Sequence, residues 1–251
     1  MRCKVFSLRN GKEILRDPLS YILCLGFPVV MLAIMSIVNQ SIPPEAHMEL
    51  FQIENLAPGI AIFGFTFIML FTTILVSKDR CGAFLTRLFS SPMTAGDYIG
   101  GYLLPMGVIA VAQAVITYGA AFLVAWISGE SLPVLGAWLS ILAIFPAAVL
   151  FAGAGLVFGT LFSDKAAPGL CSILISLSAM LGGIWMDVDT LGGAIQKVSH
   201  ALPFYHAVAA GRYAISGDYG TMWTSVLIVA LYGAVALVLA VLVFRRKMKL
   251  K

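Results

Sequence analysis

Six stretches of this 251-residue chain contain no Asp, Glu, Lys or Arg: 18–44, 55–77, 98–129, 131–163, 166–186 and 219–244. Each is at least 21 residues long, and a helix needs roughly 20 apolar residues to cross a bilayer. Within hydrocarbon the backbone must satisfy its own hydrogen bonds, so runs of this length have to be helical. Charged residues make up 11% of the chain, against about one-quarter in an average soluble domain. A soluble enzyme, a disordered chain, a secreted disulfide scaffold and a nucleic-acid-binding domain are excluded, and the net charge of +4 is no nucleic-acid footprint. The chain reads as an all-α, polytopic membrane protein.

The basic residues set its orientation. Arg2, Lys4, Arg9, Lys12 and Arg16 crowd the head, and Arg245, Arg246, Lys247, Lys249 and Lys251 crowd the tail. Cytoplasmic loops carry the excess of Lys and Arg, so both termini read as cytoplasmic and the number of crossings as even. Six spans then put 14 of 16 basic residues inside, with Lys197 and Arg212 outside. The spans are expected at 19–38, 57–76, 98–127, 134–162, 168–186 and 222–244. Spans three and four exceed one crossing, which tilt or a cytoplasmic extension would absorb. The first apolar run is a full span rather than a short signal-peptide core, so it is expected to stay in the mature chain.

Three segments outside the spans stand out in what reads as a single transmembrane domain, 1–251. Residues 1–18 interleave cations with Val5, Leu8, Ile14 and Leu15, which suits a helix lying in the interface; Asp17-Pro18 stops it. Residues 78–97 place Phe84, Leu85, Leu88 and Phe89 on one helical face, before Ser90-Ser91-Pro92 breaks the helix and Thr94 caps the next. That face fits either lipid or a partner's groove. Residues 187–221 are too apolar for a simple loop, and Pro203 divides them into pieces of about 20 Å at helical rise, short of a ~30 Å core. Two half-helices dipping into the outer leaflet are expected, shielded by protein or water.

Catalytic chemistry has no visible home. The three histidines (His47, His200 and His206) form no H-E-x-x-H metal helix, and no G-x-x-x-x-G-K-[ST] phosphate loop occurs. Cys3, Cys24, Cys81 and Cys171 show no metal-ligand spacing and read as free thiols. The spans contain no ionisable relay of the kind ion-coupled transporters use. Gln113 and Thr117 suit interhelical hydrogen bonding, and Gly155-x-x-x-Gly159 suits close helix packing. Phe63, Phe67 and Phe71 recur every fourth residue beside Thr66 on span two, while Met180 and Trp185 lie in the outer half of span five. Such adaptable apolar walls suit an amphipathic cargo, or plain packing.

Together these features resemble the membrane subunit of the ABC-2 family of ATP-binding-cassette exporters, over essentially the whole chain. The most specific part precedes span six: Leu181, Gly182, Ile184, Leu191 and Gly192, then Pro203-Phe204-Tyr205-His206, five residues, and Arg212. Ser178 stands where a large apolar residue is usual. Arg16-Asp17-Pro18 before span one, and Gly82 to Leu88 leading to Ser91-Pro92-Met93, are further echoes. Asp79 stands where the family usually has Glu, and Gly101 where it often has Lys.

The resemblance implies an ABC-2 or type V exporter-like fold: six transmembrane helices, an N-terminal interfacial helix, and re-entrant external half-helices before the last span. It implies a second permease subunit, identical or sibling, and a path formed by spans two and five, with Phe63, Thr66, Phe67, Phe71, Met180 and Trp185 as candidate lining. Two copies of a separate ATPase, holding ATP and Mg, would dock on 78–97 through Asp79, Arg80, Phe84, Leu85, Arg87, Leu88 and Phe89. Pro203, His206 and Arg212 would form an outer gate, with Lys197 and His200 as further polar candidates. This chain itself would bind no cofactor, metal or nucleic acid and would catalyse nothing. It would sit among the lipids of a prokaryotic inner membrane and export a drug, antibiotic, lipid or lipid-linked glycan. A self-sufficient secondary transporter or channel is the alternative.

Overall fold

The computed structural model of the chain describes residues 2–43, 49–82 and 94–249, and the regular elements among them are helices. The expected docking residues Phe84, Leu85, Arg87, Leu88 and Phe89 lie outside the described residues, as does His47.

Asp17 and Pro18 separate the first two helices as their chemistry requires. Helix α1 (Arg2–Leu15) stops before them. Pro18 then opens α2 (Pro18–Ser41), where its missing N–H costs nothing, and the Asp17 carboxylate accepts from the Leu19 N–H at 3.2 Å and the Ser20 hydroxyl at 2.8 Å. One π-helical turn, Ile22–Gly26, lies inside α2. Helix α3 (Ile53–Cys81) follows, then α4 (Ala95–Ser128), which begins with a reciprocal capping box between Thr94 and Asp97 and ends at Gly129 in the left-handed region, φ 72°. Helix α5 is Val134–Leu161 and α6 is Ala167–Leu181. The short helices α7 (Val188–Leu191), α8 (Gly193–Ala201) and α9 (Pro203–Ser216) precede the long α10 (Tyr219–Lys249).

Among the described residues five helices are long and apolar enough to cross a membrane: α2, α3, α4, α5 and α10 over Tyr219–Arg246. The protein is a multi-pass membrane protein. Four of these five helices extend beyond the bounds expected from their apolar runs.

The fifth apolar run departs from expectation. It is helical over Ala167–Leu181 and not to 186. Gly182 and Gly183 end it: a Cβ on Gly182 would lie 2.3 Å from the Ser178 carbonyl oxygen, and Gly183 has φ 69°. A hydropathy window cannot see this, because glycine counts as neutral in it while changing the backbone's permitted angles. The short helix nevertheless reaches far along α3. Cys171 near its start lies 3.4 Å from the Thr73 hydroxyl, and the turn at its end meets the level of Asn55 through Arg212. Thr73 and Asn55 are about 18 residues, or ~27 Å, apart on α3.

Helix α3 is the centre of the bundle and the most buried of the long helices. Lipid is as apolar as leucine, so helices in membranes associate through small residues and hydrogen bonds. The Gly155/Gly159 pair does this against α3. A Cβ at Gly155 would lie 2.6 Å from the Met69 carbonyl oxygen, and one at Gly159 would lie 2.7 Å from that of Thr73. Helix α1 and the last turns of α10 lie at one end of the bundle, called proximal below. There Phe6 packs edge-on to Tyr98 with ring centres 5.8 Å apart, and Tyr98 meets Phe244 at 5.4 Å.

Candidate translocation path and its two ends

At the proximal end α1 presents Phe6, Asn10 and Ile14 inward, one turn apart, and leaves Val5, Leu8 and Leu15 exposed. The inward face is the one that amphipathic counting misses, because Asn10 is polar. Gly101 makes room for the Phe6 ring: a Cβ there would lie 2.2 Å from the ring edge. That explains glycine at a position where a long cation would collide. The Asn10 amide donates to the Gly101 carbonyl at 3.1 Å.

Asp79 is buried, 3% exposed. Its carboxylate receives the Arg9 guanidinium at 2.7 Å and the Tyr102 hydroxyl at 2.9 Å. Arg9 also pairs with Glu13 at 2.6 Å, and Lys78 reaches Glu13 at 3.4 Å. Burial disfavours the Arg9 cation, but the hydrogen bond and charge of Asp79, helped by Glu13, raise its pKa above the usual value. Arg80 donates to the carbonyls of Thr160 at 2.9 Å and Phe162 at 2.5 Å, so it caps the last turn of α5 with charge of the favourable sign. Asp79 and Arg80, two of the expected docking residues, make these bonds within the chain. Arg9 and Tyr102 were not singled out from sequence: one is among five head cations, the other among eight tyrosines.

Along the bundle the path candidates separate. Phe63, Phe67 and Trp185 come together, with Phe63 to Phe67 at 5.6 Å and Phe63 to Trp185 at 5.5 Å. Phe27 joins them, 5.8 Å from Phe63 and 5.4 Å from Phe67. Its sequence signal was only an aromatic residue beside Pro28. Thr66 is fully buried and bonds back to the Phe63 carbonyl; Phe71 is buried, while Met180 is exposed. The cluster thus spans α2, α3 and the turn after α6. Beside it Gln113 of α4 donates to the Ala61 carbonyl of α3 at 3.4 Å and to Thr117 at 3.1 Å. It makes the interhelical bond expected of it, and its side-chain oxygen is buried without a partner.

The distal end is organised by Pro203, Gly211 and Arg212. Pro203 opens α9 after Leu202 leaves the helical region, which divides the segment where expected. A Cβ on Gly211 would lie 2.7 Å from Pro58 and 2.9 Å from the Ser140 hydroxyl, so α9 can seat only through glycine. The Ser140 hydroxyl donates to the Gly211 carbonyl at 2.8 Å. Arg212 then donates to the carbonyls of Asn55 at 3.1 Å and Gly183 at 2.8 Å. Burial lowers its pKa to about 10 against the attraction of Asp187, Tyr205 and Asp189; it stays cationic at neutral pH.

Outside this seat, Asp189 accepts from Tyr205 at 2.8 Å and lies 2.8 Å from His200. The His206 ring nitrogen Nε2 meets the His200 carbonyl at 2.9 Å. Lys197 is exposed. Glu130, in the α4–α5 loop, accepts from the Ile53 N–H at 2.8 Å and from Asn39 at 3.4 Å. It places a negative charge on the N-terminus of α3, a role with no sequence signal beyond a lone acid in a short loop.

The family model described as ABC-2 type transporter matches residues 1–216, from α1 through α9. The "Putative transport permease YvfS" of Bacillus subtilis (strain 168) is 22% identical over 244 residues, covering 96% of each chain.

Proposed function

The chain belongs to the ABC-2 type transporter family, and on that premise we propose that it is the permease subunit of an exporter driven by separate ATPase subunits. Two permease subunits, identical or siblings, pair around the path, and two ATPase copies holding ATP and Mg engage residues 78–97. Both termini are cytoplasmic, in the plasma membrane of a prokaryote. Their shared position at one end of the bundle supports an even number of crossings. Five long helices leave one more, which the α6 segment supplies.

The observation that carries this reading is that α3 is fastened at both ends. Asp79 ties its proximal end to α1 and α4; Asn55 ties its distal end, through Arg212, to α9 and the Gly183 turn. These two points are about 24 residues, or ~36 Å, apart along the helix. Movement imposed beside residue 79 is carried as a rigid displacement to the distal segment, between them passing the Phe27/Phe63/Phe67/Trp185 cluster. Closure of the ATPases would shift the proximal fastening, and the α8–α9 segment would open outward at Pro203. An uncharged aromatic wall suits an apolar or amphipathic cargo.

Tagged full-length chain is expected to copurify with an ATPase bearing a phosphate loop, and Phe84→Asp or Leu88→Asp to abolish that. Unchanged recovery and ATPase activity in both variants would overturn the docking assignment.

A further inference from the structure

The flank of α1 away from Asp79 forms an open groove against α4. It measures about 640 Å³ and is bordered by Lys4, Ser7, Lys12 and Leu15 on α1 and by Leu104 and Val108 on α4. The neighbouring groove on the other side of α1 carries Glu13 and Asp17 among its cations; Leu8 and Lys12 stand on the ridge between the two and border both, and the lining of this groove includes no acid. Among the described residues neither Lys4 nor Lys12 has an ion-pair partner, and both are exposed. The two lysines lie eight residues apart, about 12 Å along the helix.

The floor of the groove continues. Leu104 and Val108 also border a second apolar groove of about 590 Å³ between α4 and α5, floored by small residues including Gly107, Ala112, Ala148 and Ala152. From Gly101, where Phe6 seats, to Ala112 is about eleven residues or ~16 Å of helix, one leaflet of a ~30 Å core. The two grooves meet at Leu104 and Val108 and can be followed as one channel, cationic at the α1 end and apolar beyond it.

We propose that this channel is a binding site for an anionic glycerophospholipid. Lys4 and Lys12 contact the phosphate, Ser7 offers a hydroxyl beside it, and an acyl chain runs over Leu104, Val108 and Gly107 toward Ala112. The charge selects the occupant. A zwitterionic lipid carries the same phosphate, but the two lysines repel its quaternary ammonium, and an isologous second copy would set Lys4 and Lys12 against the same acid-free lining. The lipid would wedge α1 against α4, holding the helix that Arg9 and Asp79 fasten from the other flank.

The test is native mass spectrometry of the detergent-solubilised full chain, titrated with phosphatidylglycerol or with phosphatidylcholine of the same acyl chains. Preferential retention of phosphatidylglycerol is expected. Lys4→Ala/Lys12→Ala should weaken it on the order of thirtyfold, from roughly 1 kcal/mol per cation near the surface. Gly107→Trp fills the apolar half, since a Cβ there meets nothing within 4 Å; it should weaken both lipids. Gly119→Trp, on the same helix and equally unobstructed, should change neither. Equal retention of the two lipids, a charge preference that survives the double alanine variant, or a dimer that buries Val108 without lipid would overturn the proposal.

Discussion

The Arg9 guanidinium lies 2.7 Å from the Asp79 carboxylate, tying the helix at the head of the chain to the proximal end of the most buried long helix. Tyr102 closes the arrangement from a third helix. Removing one partner of a buried pair strands the other and costs 3–5 kcal/mol in full burial, but Arg9 is about one-third exposed. Asp79→Asn is therefore expected to cost about 1–3 kcal/mol, read as a lower melting temperature in detergent. Arg9→Ala should cost less in the Asp79→Asn background than alone. Additive losses would show that the pair is not coupled.

Arg212 holds two carbonyls from different elements, a geometry that a guanidinium fork provides and an ammonium does not. Arg212→Lys should keep charge but lose one of the two bonds, and Arg212→Gln should lose the charge as well. Each is expected to destabilise by about 1–3 kcal/mol and to abolish transport while ATPase recovery persists. Normal transport by Arg212→Lys would remove Arg212 from the distal fastening.

Gly159 faces the Thr73 carbonyl and Val76. Backbone cannot yield as a side chain can, so Gly159→Leu must push α5 away from α3, at a cost of about 3 kcal/mol or more. Loss of folded yield is expected for Gly159→Leu, and near-normal yield for Gly169→Leu, where a Cβ meets nothing. Comparable yields would contradict the close approach.

Burial acts to raise the Asp189 pKa, but hydrogen bonds from His200, Tyr205 and Gln196 outweigh it and hold the carboxyl below its ordinary value. A depressed carboxylate contributes stability that is fully present above its unfolded pKa, about 3.9. That contribution is lost as pH falls through the folded value. Amide protection across 188–205, taken relative to the intrinsic exchange rate at each pH, should therefore fall below about pH 4, and Asp189→Asn should remove that step. A step unchanged in Asp189→Asn would place its origin elsewhere.

Much of this was legible because charge and proline leave strong marks. The charge-free runs located the long helices, Asp17-Pro18 and Pro203 marked breaks, and Thr94 marked a cap. Gln113 and Gly155/Gly159 carry their packing role in residue type and spacing alone, and the structure shows them in it. What escaped was direction. Asp79 and Arg80 look like a charged surface in sequence, yet one is buried and the other caps a helix end, because their partners lie 70 and about 80 residues away. The end of the fifth apolar run escaped because backbone angles at Gly182-Gly183 do not register as polarity. Phe27 escaped because its neighbours in the aromatic cluster are brought to it only by the fold.

On the proposed reading a partner's ATP hydrolysis, acting through α3, drives transport. Proteoliposomes holding this chain with and without its copurified ATPase decide this, by following efflux of an amphipathic fluorescent cargo. Efflux is expected only with both subunits, Mg and ATP, and Asp79→Asn should cut it while ATPase recovery persists. Efflux by this chain alone, driven by a proton or sodium gradient, would contradict the claim.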